Sequence, residues 1–359
     1  MLAKTLRSIN RKVIPGHLFY GPEWLVLGVN NICNLHCKMC DVGVNYNESN
    51  FFQNLMGSKP VNMPVELIRT IIDQAAKYFP NTKLGYAFTE PLIYPHLGES
   101  LWYAEQNHLF TSITTNALNL KRYGDMLLES RLNELYISLD GPQDIHNEIR
   151  GHKSSFQKAV QGMDALFGKE HCPQISIYCC ITEWNIGHLV EFVEYFKDFP
   201  LQRMGFMHTN YTPQAVADAH NRLYQSKYPA TASNMEEINL DNMDLDVLWS
   251  EIQAIQGMDL PFPVVFSPEV KDRTALELFY YSPEILVGKG CNDVNANIMI
   301  KSNGDVIPAH GRCYNLTIGN LYENDLKTIW NSEVISQFRK DLKKAGGLMP
   351  ACARCCSAF

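Results

Sequence analysis

The sequence predicts an α/β fold, a partial (β/α)6 TIM-like barrel followed by a small C-terminal α+β domain. Between residues 23 and 208, six short β-rich runs alternate with amphipathic segments of helical period, the pattern of parallel βαβ units. Six units are too few to close an eight-stranded barrel, so we expect an open one. From residue 289 to the end, short strand signals accompany a group of cysteines.

The barrel strands are expected where β-branched and aromatic residues concentrate. The six candidates cover residues 24–29, 84–88, 110–115, 135–139, 174–181 and 203–207. The clearest helix covers residues 64–79, where apolar side chains recur at helical spacing behind Pro64. In a barrel of this kind, the loops that follow the strands carry the chemistry.

The remaining segments flank this barrel. Residues 1–22 form an N-terminal extension, and residues 209–288 form a polar bridging region with a helical pattern at 243–255. The domain at 289–359 has strand signals on both sides of a turn at 302–305, then a helix at 326–344. So short a segment with little apolar periodicity needs a cross-link, and its cysteines can supply one.

Composition narrows the class of protein. The 359 residues carry a formal net charge of -7 without a long basic run, which argues against a nucleic-acid surface. No apolar stretch has the length of a membrane-spanning helix or a secretory signal, so we expect a cytoplasmic protein. Eleven cysteines in such a chain indicate metal binding rather than disulfides.

Three cysteines follow the first predicted strand directly. Cys33, Cys37 and Cys40 form a CxxxCxxC pattern on a loop at the catalytic rim of the barrel. Three thiolates can hold three irons of a [4Fe-4S] cube and leave the fourth iron open to a cosubstrate. A zinc site is the alternative, but structural zinc takes four protein ligands, for which His36 would have to serve as the fourth.

Three later segments resemble motifs of the radical S-adenosylmethionine (radical SAM) superfamily. They follow the cysteine triplet in the same order as in that family. They are Thr89-Glu90-Pro91-Leu92, similar to the family's GGEPLL, Thr114-Thr115-Asn116, similar to its TTNG, and Ser138-Leu139-Asp140-Gly141-Pro142 with Arg150, similar to its SLDGP…IRG. Phe88, Thr89 and Ala117 stand where the family has glycine, and these residues resist the φ values that glycine allows.

The resemblance implies a reaction and a set of cofactor contacts. Members of the family reductively cleave S-adenosylmethionine to a 5′-deoxyadenosyl radical, which abstracts a hydrogen atom from the substrate. The one-electron donor would be a flavodoxin or a ferredoxin. The residues expected at S-adenosylmethionine are Met39, Thr89, Glu90, Thr115, Asn116, Ser138, Arg150 and Met207.

The C-terminal cysteines resemble the ligands of the auxiliary-cluster domains called Twitch and SPASM. Cys291, Cys313, Cys352 and Cys355 would hold one auxiliary [4Fe-4S] cluster, since the longer cysteine series of a full SPASM domain is missing. The family usually has a further cysteine where this chain has Ala309. Cys313, Cys356, His310 or an open iron could complete the cluster, and a closed zinc site is the alternative.

Two substrate classes fit these features. The leading hypothesis is oxidation or epimerisation of a small polar metabolite resembling a sugar or aminocyclitol. The alternative is modification of a ribosomally made peptide by a thioether or carbon–carbon crosslink or by epimerisation. Only about 20 residues precede the first strand, fewer than a leader-binding domain needs.

A third hypothesis, from another class, is a non-catalytic iron–sulfur or zinc protein. For either enzyme, we expect substrate contacts from His208, Asn210 and Tyr211, which follow the sixth strand at the rim of the barrel. The sequence identifies no residue that donates or removes a proton.

Overall fold

The computed structural model describes residues 2–359, with side chains from residue 5 onward. One sheet of ten strands runs through this part of the chain. The strands are β1 Trp24–Leu27, β2 Lys83–Tyr86, β3 Phe110–Thr115, β4 Glu134–Ser138, β5 Gln174–Ile181, β6 Arg203–His208, β7 Val264–Ser267, β8 Asn297–Ile300, β9 Asp305–Pro308 and β10 Gly319–Asn320.

The helices lie between and after these strands. They are α1 Leu2–Val13, α2 Asn50–Met56, α3 Val65–Tyr78, α4 Leu97–Gln106, α5 Leu120–Glu129, α6 Gln143–Ile149, α7 Ser155–Leu166, α8 Leu189–Phe196, α9 Gln214–Tyr224, α10 Leu245–Gln256, α11 Arg273–Tyr281, α12 Leu326–Trp330 and α13 Glu333–Lys344. No helix in the described part of the chain has the length and apolar character needed to cross a bilayer.

The predicted barrel strands are present. β3 and β5 occupy the predicted ranges, and the ends of the other four differ from them by one or two residues. Strands β1 to β7 pair in parallel and in chain order, as successive βαβ units require. The seventh strand, β7, lies in the predicted bridging region, where flanking prolines hide its pattern.

The C-terminal strands extend the barrel sheet. β8 pairs in parallel with β1, in a register that sets Asn297 opposite Trp24, and β9 and β10 follow as antiparallel neighbours. β1 therefore lies between β2 and β8, and these two strands flank the end of β1 from which the next loop starts. The structure divides the single helix expected at 326–344 into α12 and α13.

The helices α3, α4, α5, α7 and α8 each bury one apolar face. In α3, the predicted apolar stripe is fully buried, and the helix begins directly after Pro64, as expected. The N-terminal extension contacts the C-terminal domain, since the amide of Leu18 donates to Asn331 Oδ1 at 2.9 Å and Trp330 Nε1 donates to the carbonyl of Tyr20 at 2.6 Å. The two ends of the chain therefore pack together.

Candidate active site

The three early cysteines lie on the loop that leaves β1 and line a common cavity. This loop folds tightly back on itself, because a Cβ atom at Gly43 would lie 2.3 Å from the carbonyl oxygen of Cys37. The backbone amide of Lys38 donates to Ile149 at 2.9 Å and so anchors the loop to the end of α6. Glycine at 43 is therefore a requirement of the loop's path.

The spacing of these thiols argues against a zinc ion. Three sulfurs around one tetrahedral zinc lie about 3.8 Å apart, given a zinc–sulfur bond of about 2.3 Å. Cys33, Cys37 and Cys40 are not a trio within 4.8 Å, whereas a cube places its ligands on separate irons and spreads them more widely. Burial raises the pKa of Cys33 and raises that of Cys37 to about 12, so a bound cation is needed to hold them as thiolates.

Glu90 is the acidic group of this cavity and is fully buried. Its Oε1 accepts hydrogen bonds from Thr115 Oγ1 at 2.7 Å and the amide of Leu92 at 2.9 Å, and its Oε2 accepts from the amide of Asn116 at 2.8 Å. Burial raises the pKa of Glu90, and these donors oppose that rise. The carboxylate is thus locked in one orientation at the ends of β2 and β3.

Arg150 faces the cluster loop from the end of α6. Its Nε donates to Asp140 Oδ2 at 2.5 Å, and its Nη1 lies 3.6 Å from Cys37 Sγ. Burial alone would lower the pKa of Arg150, but Asp140 and the Cys37 sulfur raise it overall. The guanidinium is therefore always charged, and the N–H groups not used by Asp140 face the cavity that the cysteines line.

Seven of the eight residues expected at S-adenosylmethionine line this cavity. They are Met39, Thr89, Glu90, Thr115, Asn116, Ser138 and Arg150. Met207 is not among the lining residues. The donor set fits the cosubstrate's chemistry, since hydroxyl, amide, carboxylate and guanidinium groups surround the three thiols, as an amino acid moiety and a ribose require.

Two of the residues that replace family glycines nevertheless adopt glycine-like backbone. Phe88 has φ 81° and Ala117 has φ 60°, both in the region that L residues rarely occupy. The ring of Phe88 stacks on His310 with centroids 5.7 Å apart and meets Phe51 edge-on at 6.2 Å. These contacts offset the strain at Phe88 and link the β2 loop to the C-terminal domain.

The bridging region closes over the cluster loop. Asp41, which is fully buried, accepts hydrogen bonds from the amide of Asn234 at 2.6 Å and from Ser233 Oγ at 2.7 Å. In return, the amide of Asp41 donates to Asn234 Oδ1 at 3.2 Å, and Asn234 Nδ2 donates to the carbonyl of Asn210 at 2.8 Å. This reciprocal pairing ties residues 233–234 to the loop that carries Cys40.

A second cavity lies in the C-terminal domain. All four predicted auxiliary ligands line it, namely Cys291, Cys313, Cys352 and Cys355. Burial raises the pKa of Cys291, Cys313 and Cys352, to about 11 for Cys352, whereas the pKa of Cys355 is raised first by its hydrogen bond with Cys356 and then by burial. Four converging thiols in one cavity fit an auxiliary cluster.

The residues proposed to complete that cluster differ in their placement. His310 lines the cavity, whereas Cys356 does not, and Cys356 Sγ lies 3.7 Å from His310 Nε2. His310, Cys355 and Cys356 form the one group of possible metal ligands within 4.8 Å in the described part of the chain. His310 also lies 2.7 Å from Ser357 Oγ, which in turn donates to Asp293.

Arg354, between two of these cysteines, is a structural residue that sequence reasoning missed. Only 2% of it is exposed, and its guanidinium donates to five carbonyl oxygens, of which four lie at the end of α11 or directly after it. They belong to Leu278, Phe279, Ser282, Ile285 and Ala353. The orphan carbonyls at the helix end are thus satisfied by a cation on the segment that carries Cys352 and Cys355.

The three predicted substrate contacts lie in different places. Asn210 lines both cavities, and Tyr211 lines the second, although its hydroxyl donates to the carbonyls of Phe279 and Tyr280. His208 is not among the lining residues of either cavity. Its Nδ1 lies 2.8 Å from the hydroxyl of Tyr280, and burial lowers its pKa to about 3.

Two residues that sequence reasoning did not select join the cavities. Phe51 and Arg312, together with Asn210, line both of them. Arg312 directly precedes Cys313, so its position beside an expected ligand was a signal that could have found it. Phe51 has no such signal, since α2 places it there.

Comparison with known families and proteins agrees with this geometry. Residues 28–196 match the model of the radical SAM superfamily, and residues 291–356 match that of SPASM, an iron-sulfur cluster-binding domain. The chain is a radical SAM enzyme with a SPASM domain. S-adenosylmethionine and [4Fe-4S] clusters are the cofactors of this combination.

Two curated relatives resemble the chain. Fe-coproporphyrin III synthase of Methanosarcina barkeri is 21% identical, over 96% of this chain and 84% of that protein. The serine-type anaerobic sulfatase-maturating enzyme of Bacteroides thetaiotaomicron is 26% identical, over 51% of this chain and 45% of that protein.

Solved structures show the same fold. Streptococcus suis SuiB bound to its precursor peptide SuiA has a TM-score of 0.62 at 18% identity, covering 94% of this chain and 70% of SuiB. The enzyme anSMEcpe with AdoMet and the Kp18Cys peptide has a TM-score of 0.58 at 16% identity, covering 88% of this chain and 82% of that protein. The partial barrel with its C-terminal extension is therefore a known arrangement.

Proposed function

We propose that this radical SAM enzyme carries out a two-electron oxidation of a substrate held between its two cluster sites. One observation carries the proposal, namely that the cavity of Cys33, Cys37 and Cys40 and the cavity of the C-terminal cysteines share Phe51, Asn210 and Arg312 as walls. A substrate in the joined space touches both sites.

The first site prepares the substrate for hydrogen abstraction. When bound there, the cluster and S-adenosylmethionine supply the radical that removes a hydrogen atom. The residues of the chain hold the cosubstrate and exclude water, with Glu90 and Arg150 fixed by their own hydrogen bonds before it binds. The electron that reaches the first cluster would come from a flavodoxin or a ferredoxin.

The second site would take up the electron left on the substrate radical, which would release one proton to water as the oxidised product forms. An acceptor beside the substrate makes the net reaction an oxidation, and epimerisation would instead require a hydrogen donor on the opposite face. Arg312, which lines both cavities, is followed directly in the sequence by Cys313, an expected ligand of the acceptor cluster.

The leading substrate is a small polar molecule such as a sugar or an aminocyclitol. The first cavity has a volume of about 230 Å³, just below the usual range of small-molecule sites, so it leaves room for a small substrate only. Around its junction with the second cavity lie hydroxyl and amide side chains, among them Thr209, Asn210 and Asn234. Such groups suit a ligand that is rich in hydroxyl or amino groups.

Peptide modification is the second candidate, and the comparisons favour it. SuiB is described with a precursor peptide and anSMEcpe with a peptide, and one curated relative is a sulfatase-maturating enzyme. A single peptide side chain could reach the same cavity while the rest of the peptide stays outside.

One experiment separates these candidates. The enzyme, loaded with iron and sulfide without oxygen and reduced with dithionite, would be incubated with S-adenosylmethionine and C-deuterated sugars, aminocyclitols or peptides. We expect deuterium in 5′-deoxyadenosine from one class and a product two hydrogens lighter. Absence of 5′-deoxyadenosine would refute the radical reaction, and a product of unchanged mass with one inverted centre would refute the oxidation.

A further inference from the structure

Arg312 is the charged side chain on the wall that both cavities share. Its guanidinium carbon lies 4.2 Å from the centre of the Phe51 ring. The backbone amide of Arg312 donates to His310 Nδ1 at 3.2 Å. No described residue forms an ion pair or a hydrogen bond with the guanidinium. The N–H groups of Arg312 are therefore free to bind a ligand.

The backbone around Arg312 is held rigidly. Asn54, which is buried in α2, donates from Nδ2 to the carbonyl of Gly311 at 2.9 Å and to the carbonyl of Cys313 at 2.8 Å. Gly311 itself packs so closely that a Cβ atom there would lie 2.7 Å from the side chain of Leu55. One side chain thus clamps the residues on both sides of Arg312, and the Phe51 ring supports its guanidinium.

The other charged side chains on the cavity walls each have hydrogen-bond partners within the protein. Glu90 accepts three hydrogen bonds, Arg150 is paired with Asp140, and Arg354 donates to backbone carbonyls. No aspartate lines either cavity. Arg312 is therefore a positive charge without a carboxylate partner in the described part of the chain.

We infer that Arg312 is an anion-binding residue that orients a carboxylate or phosphate group of the substrate between the two cluster sites. This inference rests on the proposed function and narrows its substrate class to acidic molecules. A guanidinium binds two oxygens of such a group through parallel hydrogen bonds, and a partly water-free site strengthens them. The anion would fix the distance of the reacting carbon from the first site.

The test uses the fully cluster-loaded enzyme, reduced with dithionite, with inorganic phosphate or carboxyl-13C acetate as the probe. Electron–nuclear double resonance of the reduced auxiliary cluster detects phosphorus or carbon nuclei nearby. We expect a coupling from one of the two anions in the native enzyme, and the anion that gives it distinguishes phosphate from carboxylate. In Arg312→Gln, the coupling is lost or needs at least about tenfold more anion.

Two variants serve as controls. Arg312→Lys keeps the positive charge but loses the planar guanidinium with its two parallel N–H donors, so its affinity for the anion should be intermediate. Arg122→Gln removes an exposed arginine that also lies over a ring, that of Tyr123, and should behave like the native enzyme.

Three results would overturn the inference: a coupling that persists in Arg312→Gln, no coupling from either anion in the native enzyme, or altered cluster g-values in anion-free Arg312→Gln with unchanged anion affinity. The last result would assign Arg312 to the charge balance of the auxiliary cluster. Failure of the proposed function is a separate outcome, since 5′-deoxyadenosine formation by the native enzyme measures it without any added anion.

Discussion

Replacing Arg354 with methionine removes a cation that five carbonyl oxygens share, two of them in buried and three in partly buried hydrogen bonds. A hydrogen bond to a charged group contributes about 1.5–3 kcal/mol, but these bonds are not additive and water reaches part of an opened site. We therefore expect a loss of about 4 kcal/mol in the free energy of unfolding.

That loss converts to a shift in melting temperature. At roughly 2 cal/mol/K per residue, a chain of 359 residues has an unfolding entropy of about 750 cal/mol/K, so the midpoint should fall by about 5 °C. The measurement is circular dichroism on metal-free protein, because bound iron would add its own stabilisation. Arg222→Met, at an exposed position of α9, is the matched control and should change the midpoint little.

The outcome for the auxiliary site follows from the same change. Arg354 lies between Cys352 and Cys355, so the Arg354→Met variant should also bind less iron after reconstitution. A midpoint within about 1 °C of the native value would refute the view that Arg354 holds the end of α11 to this segment.

Three further predictions follow from the site. Replacing Cys33, Cys37 and Cys40 together with alanine should lower iron from about eight to about four atoms per chain, and a loss of all iron would contradict two independent sites. Ala117→Gly should leave the free energy of unfolding within about 1 kcal/mol of the native value, because relief of the backbone strain at φ 60° is offset by the loss of a fully buried methyl group, and denaturant titration would measure it. The pKa of His208 falls from 6.5 in the unfolded chain to about 3 in the folded chain, so its contribution to stability is complete above pH 6.5 and is lost as the pH falls towards 3. The His208→Gln variant should therefore lose roughly 2–3 kcal/mol less stability than the native enzyme between pH 7 and pH 4.5. Parallel pH–stability curves for the two proteins would contradict this expectation.

Local patterns predicted the barrel strands and the cysteine loop, and the resemblance to the radical SAM superfamily supplied the other residues expected at the first site. The strands β3 and β5 carry strong periodic signals, and Glu90, Thr115 and Ser138 stand next to strand ends, so strand prediction also places them at one rim. The cysteine pattern is contiguous in sequence and needs no long-range folding information.

Features that depend on distant pairing could not be predicted in the same way. Nothing within residues 297–300 indicates that β8 pairs with β1, because a parallel register has no local signature. His208 illustrates a second limit. Side chains alternate between the two faces of a strand, so an error of one residue in the predicted position assigns a side chain to the wrong face. Arg312 and Phe51 meet only because Asn54 joins α2 to the loop of Cys313.

The position of β1 in the middle of the sheet has a mechanical consequence. Its two neighbours come from opposite ends of the sequence, β2 from the barrel and β8 from the last seventy or so residues. A chain cut before residue 289 would leave the backbone of β1 unpaired along one side, directly ahead of the loop that bears Cys33. The C-terminal segment is thus part of the scaffold that supports the radical site.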